Sequence, residues 1–366
     1  MRPAAGTLAD RDLEVARLRA LIRRLEAAPP TRSRRAPEPP LALEPVTTPH
    51  GVALRHVTRV SMPEAVGDAG APAPGAFYLD TETTGLAGGT GTYVFLIGLA
   101  TWTGPTLTVT QYFLGDLDGE AALLHAVAEA VSEARQLVTF NGRTFDLPLL
   151  ETRYLLARRP WWGVDLAHQD LYPVARALWR DQVPDCRLIT LESVLLDLDR
   201  GDDLPGAFVP QLYFRYLRVG DARPLPRIFT HNRWDLVALA ALAGRVGALL
   251  DGPDPDHDPR EWLGAARWLE RRDPPRSVRF YQAAVDADLG PPLLARAARR
   301  LGYLWRRAGR IEAALAVLAR VAASLEGPPL GLMVDLAKLL EHHARDYEAA
   351  LQWARRATRW GSRSTS

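Results

Sequence analysis

The sequence predicts an α/β fold: a mixed sheet flanked by helices, followed by an all-α repeat region. Three observations carry this expectation. Short apolar strands come first in hairpin order, strands and helices then alternate from about residue 46 to 250, and the chain beyond about 258 shows helical periods only. A pentapeptide repeat inside that last stretch gives the tail its character.

The elements follow in order. Residues 8–27 place Leu13, Ala16, Leu18, Leu21, Ile22 and Leu25 at helical spacing, and Pro29-Pro30 ends the run, which predicts an amphipathic helix. The Pro- and Arg-rich stretch 29–45 reads as a linker. Phe77-Tyr78-Leu79 is a short strand ending on Asp80, Tyr93 to Ala100 a strongly apolar one, and Leu107 to Phe113 an alternating one. The glycine-rich stretch Gly85 to Thr92 lacks the Gly-Lys-Ser/Thr ending of a phosphate loop and reads as the turn between the first two strands. Glu120 to Arg135 is helical, Gln136 to Phe140 returns to strand, and Leu147 to Arg158 is helical again. In the tail, Ile311-Glu312-Ala313-Ala314-Leu315 recurs 36 residues later as Tyr347-Glu348-Ala349-Ala350-Leu351, with a weaker copy at Ser277 to Tyr281. Helix pairs at this period resemble tetratricopeptide repeats, which bury their apolar faces by stacking. The expected organisation is therefore a helix and linker over 1–45, an α/β domain over 46–257 and helical repeats over 258–366.

Bulk properties narrow the class. A 366-residue chain with 47% hydrophobic and 24% charged residues is ordinary for a globular protein. No apolar run reaches the roughly 18 residues of a membrane span, and the N-terminus is charged where a signal peptide needs an apolar core, so a cytoplasmic protein is expected. A single cysteine, Cys186, excludes an internal disulfide and reads as a small core residue. The net charge of +2 conceals an asymmetry. Residues 38–258 carry 17 Lys or Arg against 28 Asp or Glu, while residues 259–310 carry 12 against 5 and residues 1–37 carry 9 against 4. Carboxylates in the body would collect cations, and basic arms would meet phosphates.

Three segments carry the chemistry. In Asp80-Thr81-Glu82-Thr83-Thr84-Gly85-Leu86, residues two apart on a strand face the same side, so Asp80 and Glu82 point together. Two adjacent carboxylates repel and are costly to bury without a cation between them, although a solvated strand end explains an isolated Asp-x-Glu equally well. Asn141-Gly142-Arg143-Thr144-Phe145-Asp146 sets Asp146 near a helix start, where simple capping is the alternative. His231-Asn232-Arg233-Trp234-Asp235 precedes an apolar helix from Leu236 to Leu250, and positions i and i+4 share a face, so His231 and Asp235 can reach one pocket, although an isolated pair reads more simply as a surface histidine and a first-turn charge. His168 and Asp170 read as a buried structural pair, and Asp202 and Asp203 as turn residues before Pro205-Gly206. The tryptophans at 161, 162, 262, 268 and 305 read as core.

The ordered set, Asp-x-Glu, then Asn-x-x-x-Phe-Asp, then His-x-x-x-Asp, resembles the DEDD (DnaQ-like) exonuclease superfamily, which shares the ribonuclease H-like fold. The stretches Leu79–Leu86, Gly89–Ala100, Val138–Arg153, His168–Arg176, Leu188–Glu192, Arg200–Pro210 and His231–Leu239 look like the bacterial YprB-type ribonuclease H-like domain with C-terminal tetratricopeptide-like repeats. The resemblance covers about 46–250. It implies that Asp80, Glu82, Asp146 and Asp235 bind two Mg2+ or Mn2+ ions, which suit hard oxygen ligands and phosphate substrates. It also implies a 3′–5′ exonuclease acting on single-stranded DNA or RNA by a two-metal-ion mechanism. Thr84, Leu86 and Asn141 would lie at the substrate's terminal nucleotide. The histidine departs from the family pattern, because His231 stands at the spacing that tyrosine takes in other members. Its reference pKa of about 6.5 suits a general base that orients or deprotonates water. A second reading is a nucleic-acid-binding or scaffold protein that does not cut and that uses its helical repeats to hold a protein partner.

Overall fold

The computed structural model describes residues 41–61, 75–85, 89–287 and 289–363. The expected helix at 8–27, most of the expected linker, and Leu86 lie outside the described residues.

Seven strands form one sheet among the described residues, in the order β1-β2-β5-β4-β3-β6-β7. They are β1 (Glu44–Thr48), β2 (Gly51–Ser61), β3 (Ala76–Thr83), β4 (Val94–Thr103), β5 (Thr106–Phe113), β6 (Gln136–Thr139) and β7 (Ala167–Asp170). The first five pair antiparallel, while β6 and β7 join parallel to β3. The sheet is thus mixed, as the sequence pattern predicts. β1 begins inside the stretch expected to be linker, and β3 runs three residues past the Asp80 at which the apolar run ends. In both places polar residues are held by ladder hydrogen bonds that a hydropathy pattern does not register.

Strand β4 is the centre of the fold. Its run Val94-Phe95-Leu96-Ile97-Gly98-Leu99-Ala100 is buried on both faces, as expected of a strand covered on both sides. The helices α1 (Glu120–Ala130), α2 (Asp146–Leu156), α3 (Leu171–Trp179), α4 (Leu188–Leu195), α5 (Val209–Val219) and α6 (Leu225–Asp251) flank the sheet. α6 is the longest and packs on β3, β4 and β5. It starts at Leu225, with Pro226 in its first turn, and not near Leu236 as its apolar stripe alone suggests. Consequently His231 and Asp235 stand well inside a rigid helix.

The tail is helical: α7 (Pro259–Leu269), α8 (Pro274–Asp286), α9 (Pro291–Arg307), α10 (Ile311–Ser324), α11 (Leu330–Leu339) and α12 (Tyr347–Arg363). The three copies of the sequence repeat fall on α8, α10 and α12, each of which packs most extensively on the helix before it. The fourth position of each copy, Phe280, Ala314 and Ala350, is buried. The apolar core runs without a break from the sheet into this tail. At the join, the Trp179 indole donates to the buried Glu261 carboxylate at 2.5 Å, and Arg245 pairs with the same group at 3.0 Å. Gly264 of α7 lies so close to α3 that a Cβ there would sit 2.7 Å from Cα of Leu178. Cys186 and the tryptophans 262, 268 and 305 pack partly buried against the core, while Trp161 and Trp162 pack on each other and on Tyr154. Among the described residues no helix is long and apolar enough to cross a membrane.

Candidate active site

Strand β3 supplies the first two carboxylates. Asp80 pairs across the ladder with Gly98, and Gly98 pairs with Gln111 of β5, so the three positions form a row over three strands. Glycine leaves a gap in that row, and α6 drops Asn232 into it. The Asn232 amide donates to Asp80 Oδ2 at 2.7 Å and to the Asp80 carbonyl at 3.3 Å. Gln111 in turn donates to Asn232 Oδ1 at 2.8 Å and to the Phe229 carbonyl at 2.8 Å. Gln111 and Asn232 are both completely buried. Because Gln111 offers its N–H groups to the Asn232 oxygen, the Asn232 amide is forced to present N–H to Asp80.

Glu82 faces α6 one strand repeat further along. One oxygen from Glu82, the imidazole of His231 and one oxygen from Asp235 all lie within 4.8 Å of one another. His231 Nε2 is 3.5 Å from Asp235 Oδ2 and 4.0 Å from Glu82 Oε1. The other His231 nitrogen, Nδ1, is 2.8 Å from Asp203 Oδ2.

Asp146 opens α2, with its carboxylate in the favourable field of the helix N-terminus. Its Oδ1 accepts from the Thr81 hydroxyl at 2.6 Å. Asp80 and Asp146 line one cleft of about 430 Å³, together with Thr81, Asn141, Thr144 and Phe145. Neither belongs to the tight trio of Glu82, His231 and Asp235; Asp80 is turned onto Asn232 and Asp146 onto Thr81. Electrostatically, however, Asp80 lies in the field of the other three carboxylates, and Glu82 in that of Asp235 and Asp146. Burial, then Asp235, Glu82 and Asp146, hold the Asp80 carboxyl well above its ordinary value, against the pull of the Asn232 bond. Burial is also the main cause for Glu82, raised to about 8, and for Asp146, raised to about 6.

His231 behaves differently from the expectation of a pKa of about 6.5. Burial pushes its pKa down, but the Asp203 hydrogen bond and the charges of Asp235, Glu82 and Asp203 outweigh that, raising it to about 9. In this arrangement it is a cation among acids, so its ordinary basicity does not describe it.

Two residues that the sequence gives no reason to select complete the centre. Arg200 donates to Asp235 Oδ1 at 2.6 Å, to both Glu192 oxygens at 2.5 Å and to Asp203 Oδ2 at 3.1 Å. Asp203, read from sequence as a turn residue, thus links Arg200 to His231. The available signal was charge alternation in Asp199-Arg200-Gly201-Asp202-Asp203, which also describes a solvated loop.

Of the expected substrate contacts, Asn141 lines the cleft in the left-handed conformation, at φ 63°, which asparagine tolerates. Its N–H and that of Arg143 are held by Asp170, which also caps α3 through the Tyr172 N–H. His168 bonds to Thr139 at 2.8 Å. Asp170 and His168 thus bond respectively to the surrounding backbone and to Thr139; both are half-buried and do not bond to each other, unlike the buried pair expected from sequence. Thr84 closes the β3–β4 turn: its hydroxyl accepts from the Tyr93 N–H, and its own N–H donates to the Tyr93 carbonyl, both at 2.9 Å. Phe145, missed as a site residue, lines the cleft with 53% of its surface exposed.

The fold is ribonuclease H-like, a class whose nucleases act on nucleic acid and generally use divalent metal ions. The family described as RNase_H superfamily matches residues 77–246, from β3 through most of α6. "Uncharacterized protein YprB" of Bacillus subtilis (strain 168) is 29% identical over 284 residues, covering 76% of this chain and 68% of that protein. Among solved structures, the family B DNA polymerase from the hyperthermophilic archaeon Pyrobaculum calidifontis aligns with a TM-score of 0.40 and 14% identity. The alignment covers 69% of this chain and 33% of the polymerase, so the chain spans about a third of that protein's length.

Proposed function

We propose that the cleft is a 3′–5′ exonuclease centre, of the DEDD type, that hydrolyses the phosphodiester bonds of single-stranded DNA or RNA. The observation that carries this reading is the meeting of Glu82 with His231 and Asp235 within 4.8 Å, beside an Asp80 that α6 reaches from 152 residues away.

The residues fit a divalent cation. Partly buried carboxylates held side by side raise one another's pKa, and a cation offsets that repulsion. Hard oxygen donors favour Mg2+ or Mn2+. Asp80, Glu82, Asp146 and Asp235 would hold two such ions, which when bound polarise the phosphate and activate water. The remaining chemistry belongs to the chain. Asn232 satisfies Asp80 Oδ2 and leaves Oδ1 without a hydrogen bond among the described residues. Arg200 does the same for Asp235, occupying Oδ1 and leaving Oδ2 on the His231 side. Each carboxylate therefore presents one fixed oxygen, which is the preorganisation a metal centre needs. His231, oriented by Asp203 and placed between Glu82 and Asp235, would orient or deprotonate the attacking water. Asn141, Thr84 and Leu86 would contact the terminal nucleotide, with Phe145 offering a ring to its base.

The test is degradation of end-labelled single-stranded DNA and RNA with Mn2+, beside a circular single strand. Wild type is expected to release mononucleotides from the 3′ end and to spare the circle, and Asp80→Ala to lose this activity. Equal behaviour of wild type and Asp80→Ala would sink the reading. Oligonucleotide binding without turnover under any divalent cation would instead favour a scaffold that does not cut. Such a scaffold would use its helical tail to hold a protein partner.

A further inference from the structure

The helical tail contains a second cavity, basic where the first is acidic and remote in sequence from the carboxylates, of about 250 Å³. One face of α9 supplies Arg299, Tyr303 and Arg306, and α11 supplies Lys338. A π-helical turn, Leu340–Ala344, follows α11 and brings His342 and His343 to the same rim. Turns of this kind are rare and concentrate at functional sites. Leu318 and Leu339 form a buried apolar floor.

The charges do not cancel. Asp335 is the one acidic side chain in the lining, and it is taken by Arg299 at 2.6 Å. Arg306 and Lys338 have no ion pair among the described residues, and both are exposed. α9 itself carries Arg296, Arg299, Arg300, Arg306 and Arg307 and no acidic residue. Tyr303 stands inside this field, with the guanidinium carbons of Arg300, Arg306 and Arg307 at 4.5, 5.7 and 5.9 Å from its ring centre.

We propose that this cavity is an accessory site for single-stranded nucleic acid, gripping a backbone phosphate with Arg306 and Lys338 and offering Tyr303 to a base. The pairing of unneutralised cations with an aromatic face is the recognition chemistry of an unpaired strand. A phosphate fits the cation-rich rim, and His342 and His343 add ring nitrogens for its oxygens. An acidic peptide would use the charges and leave the ring idle. The proposal rests on the nuclease reading for its choice of ligand, and extends it: a long substrate would be held in two places, a short one only at the carboxylates.

Binding is to be measured by fluorescence anisotropy on the full chain in EDTA, with a 4-mer and a 30-mer of oligo-dT and of oligo-U, across a salt series. The Arg306→Ser/Lys338→Ser double variant is expected to bind the 30-mer about tenfold more weakly and the 4-mer unchanged. Losing that phosphate contact should shrink the slope of log affinity against log salt by about 0.7. Tyr303→Leu should weaken 30-mer binding by about tenfold with the slope intact, as expected for lost stacking. Wild-type affinity and slope in both variants would overturn the proposal, as would displacement of the 30-mer by poly-glutamate at lower concentration than by unlabelled oligonucleotide. Hydrolysis of the 4-mer with Mn2+, measured separately, reads only the carboxylate centre, so failure there is distinct from failure here.

Discussion

Gly98 and Asn232 share a space that only one of them can fill. A Cβ on Gly98 would lie 2.3 Å from Asn232 Oδ1 and 2.7 Å from Leu236 Cδ1, so glycine in the central strand is what lets α6 approach the sheet. Gly98→Ala is expected to cost about 1–3 kcal/mol of stability through overpacking. It should also reduce Mn2+-dependent hydrolysis, because displacing Asn232 releases Asp80. Denaturant unfolding beside oligonucleotide turnover checks both effects, and a variant as stable and active as wild type refutes the account.

Removing the amide itself separates positioning from packing. Asn232→Ala leaves Gly98 and the backbone in place but frees Asp80 Oδ2. Loss of a group that orients a metal ligand typically weakens metal affinity or activity by about 10–100-fold. Calorimetric titration with Mn2+ reads this directly, and unchanged affinity would show that the Gln111–Asn232–Asp80 chain is scaffolding only.

Arg200 is nearly fully buried, with its partner Glu192. Breaking a buried pair by removing one partner strands the other charge. Arg200→Met should therefore destabilise the protein by about 3–5 kcal/mol, whereas Arg200→Met with Glu192→Met should recover much of that loss. Chemical denaturation of the two variants decides it: equal stabilities would mean that Asp235 and Asp203, not Glu192, are the partners that matter.

Proton linkage gives the centre a signature. Glu82 is raised from its ordinary 4.5 to about 8, and His231 from 6.5 to about 9. In both, the folded protein holds the proton more tightly, so the stabilisation is whole below the unfolded pKa and is lost as pH rises through the folded one. The metal-free protein should lose Tm between about pH 4.5 and 9, and the Tm gain from Mn2+ should grow over the same window. Asp203→Asn should return the His231 pKa toward 6.5, visible by NMR of the ring protons. A metal-free Tm that rises over this range would contradict the linkage.

Phe145 is expected to act on substrate and not on fold. Its ring is more than half exposed in the cleft, so Phe145→Ala should leave stability within about 0.5 kcal/mol. Base stacking on an aromatic ring is worth about 1–3 kcal/mol, so KM for oligonucleotides should rise about 5- to 150-fold while kcat changes little. An unchanged KM would remove the ring from the substrate's path.

The parts of the site that sequence made legible are those set by local geometry. Alternation along a strand aligns Asp80 with Glu82, and i, i+4 spacing aligns His231 with Asp235 whatever the rest of the chain does. The expected mixed sheet and helical tail are legible for the same reason, since hydrophobic period reports burial of one face. What stayed hidden depends on tertiary contact. Gln111 lies 121 residues from Asn232, and neither is remarkable alone. Arg200 and Asp203 sit in a Gly- and Asp-rich loop whose charges read as solvated until α4 and α6 close over them. One clue was present: an isolated glycine inside the apolar run of β4 marks a close approach by another element. The start of α6 was misread because its first turns are polar where they face the site, which hides them from any apolar stripe.

The contact between Gly264 and Leu178 has a mechanical meaning. With backbone close to backbone, the first tail helix has no slack against α3, and the shared core continues past the seam. A strand held at Tyr303 and another point of the same strand at Asp80 would thus be measured against a single rigid frame. The spacing between grip and cut would be a fixed length in nucleotides, read as a threshold below which shorter substrates lose the benefit of the tail.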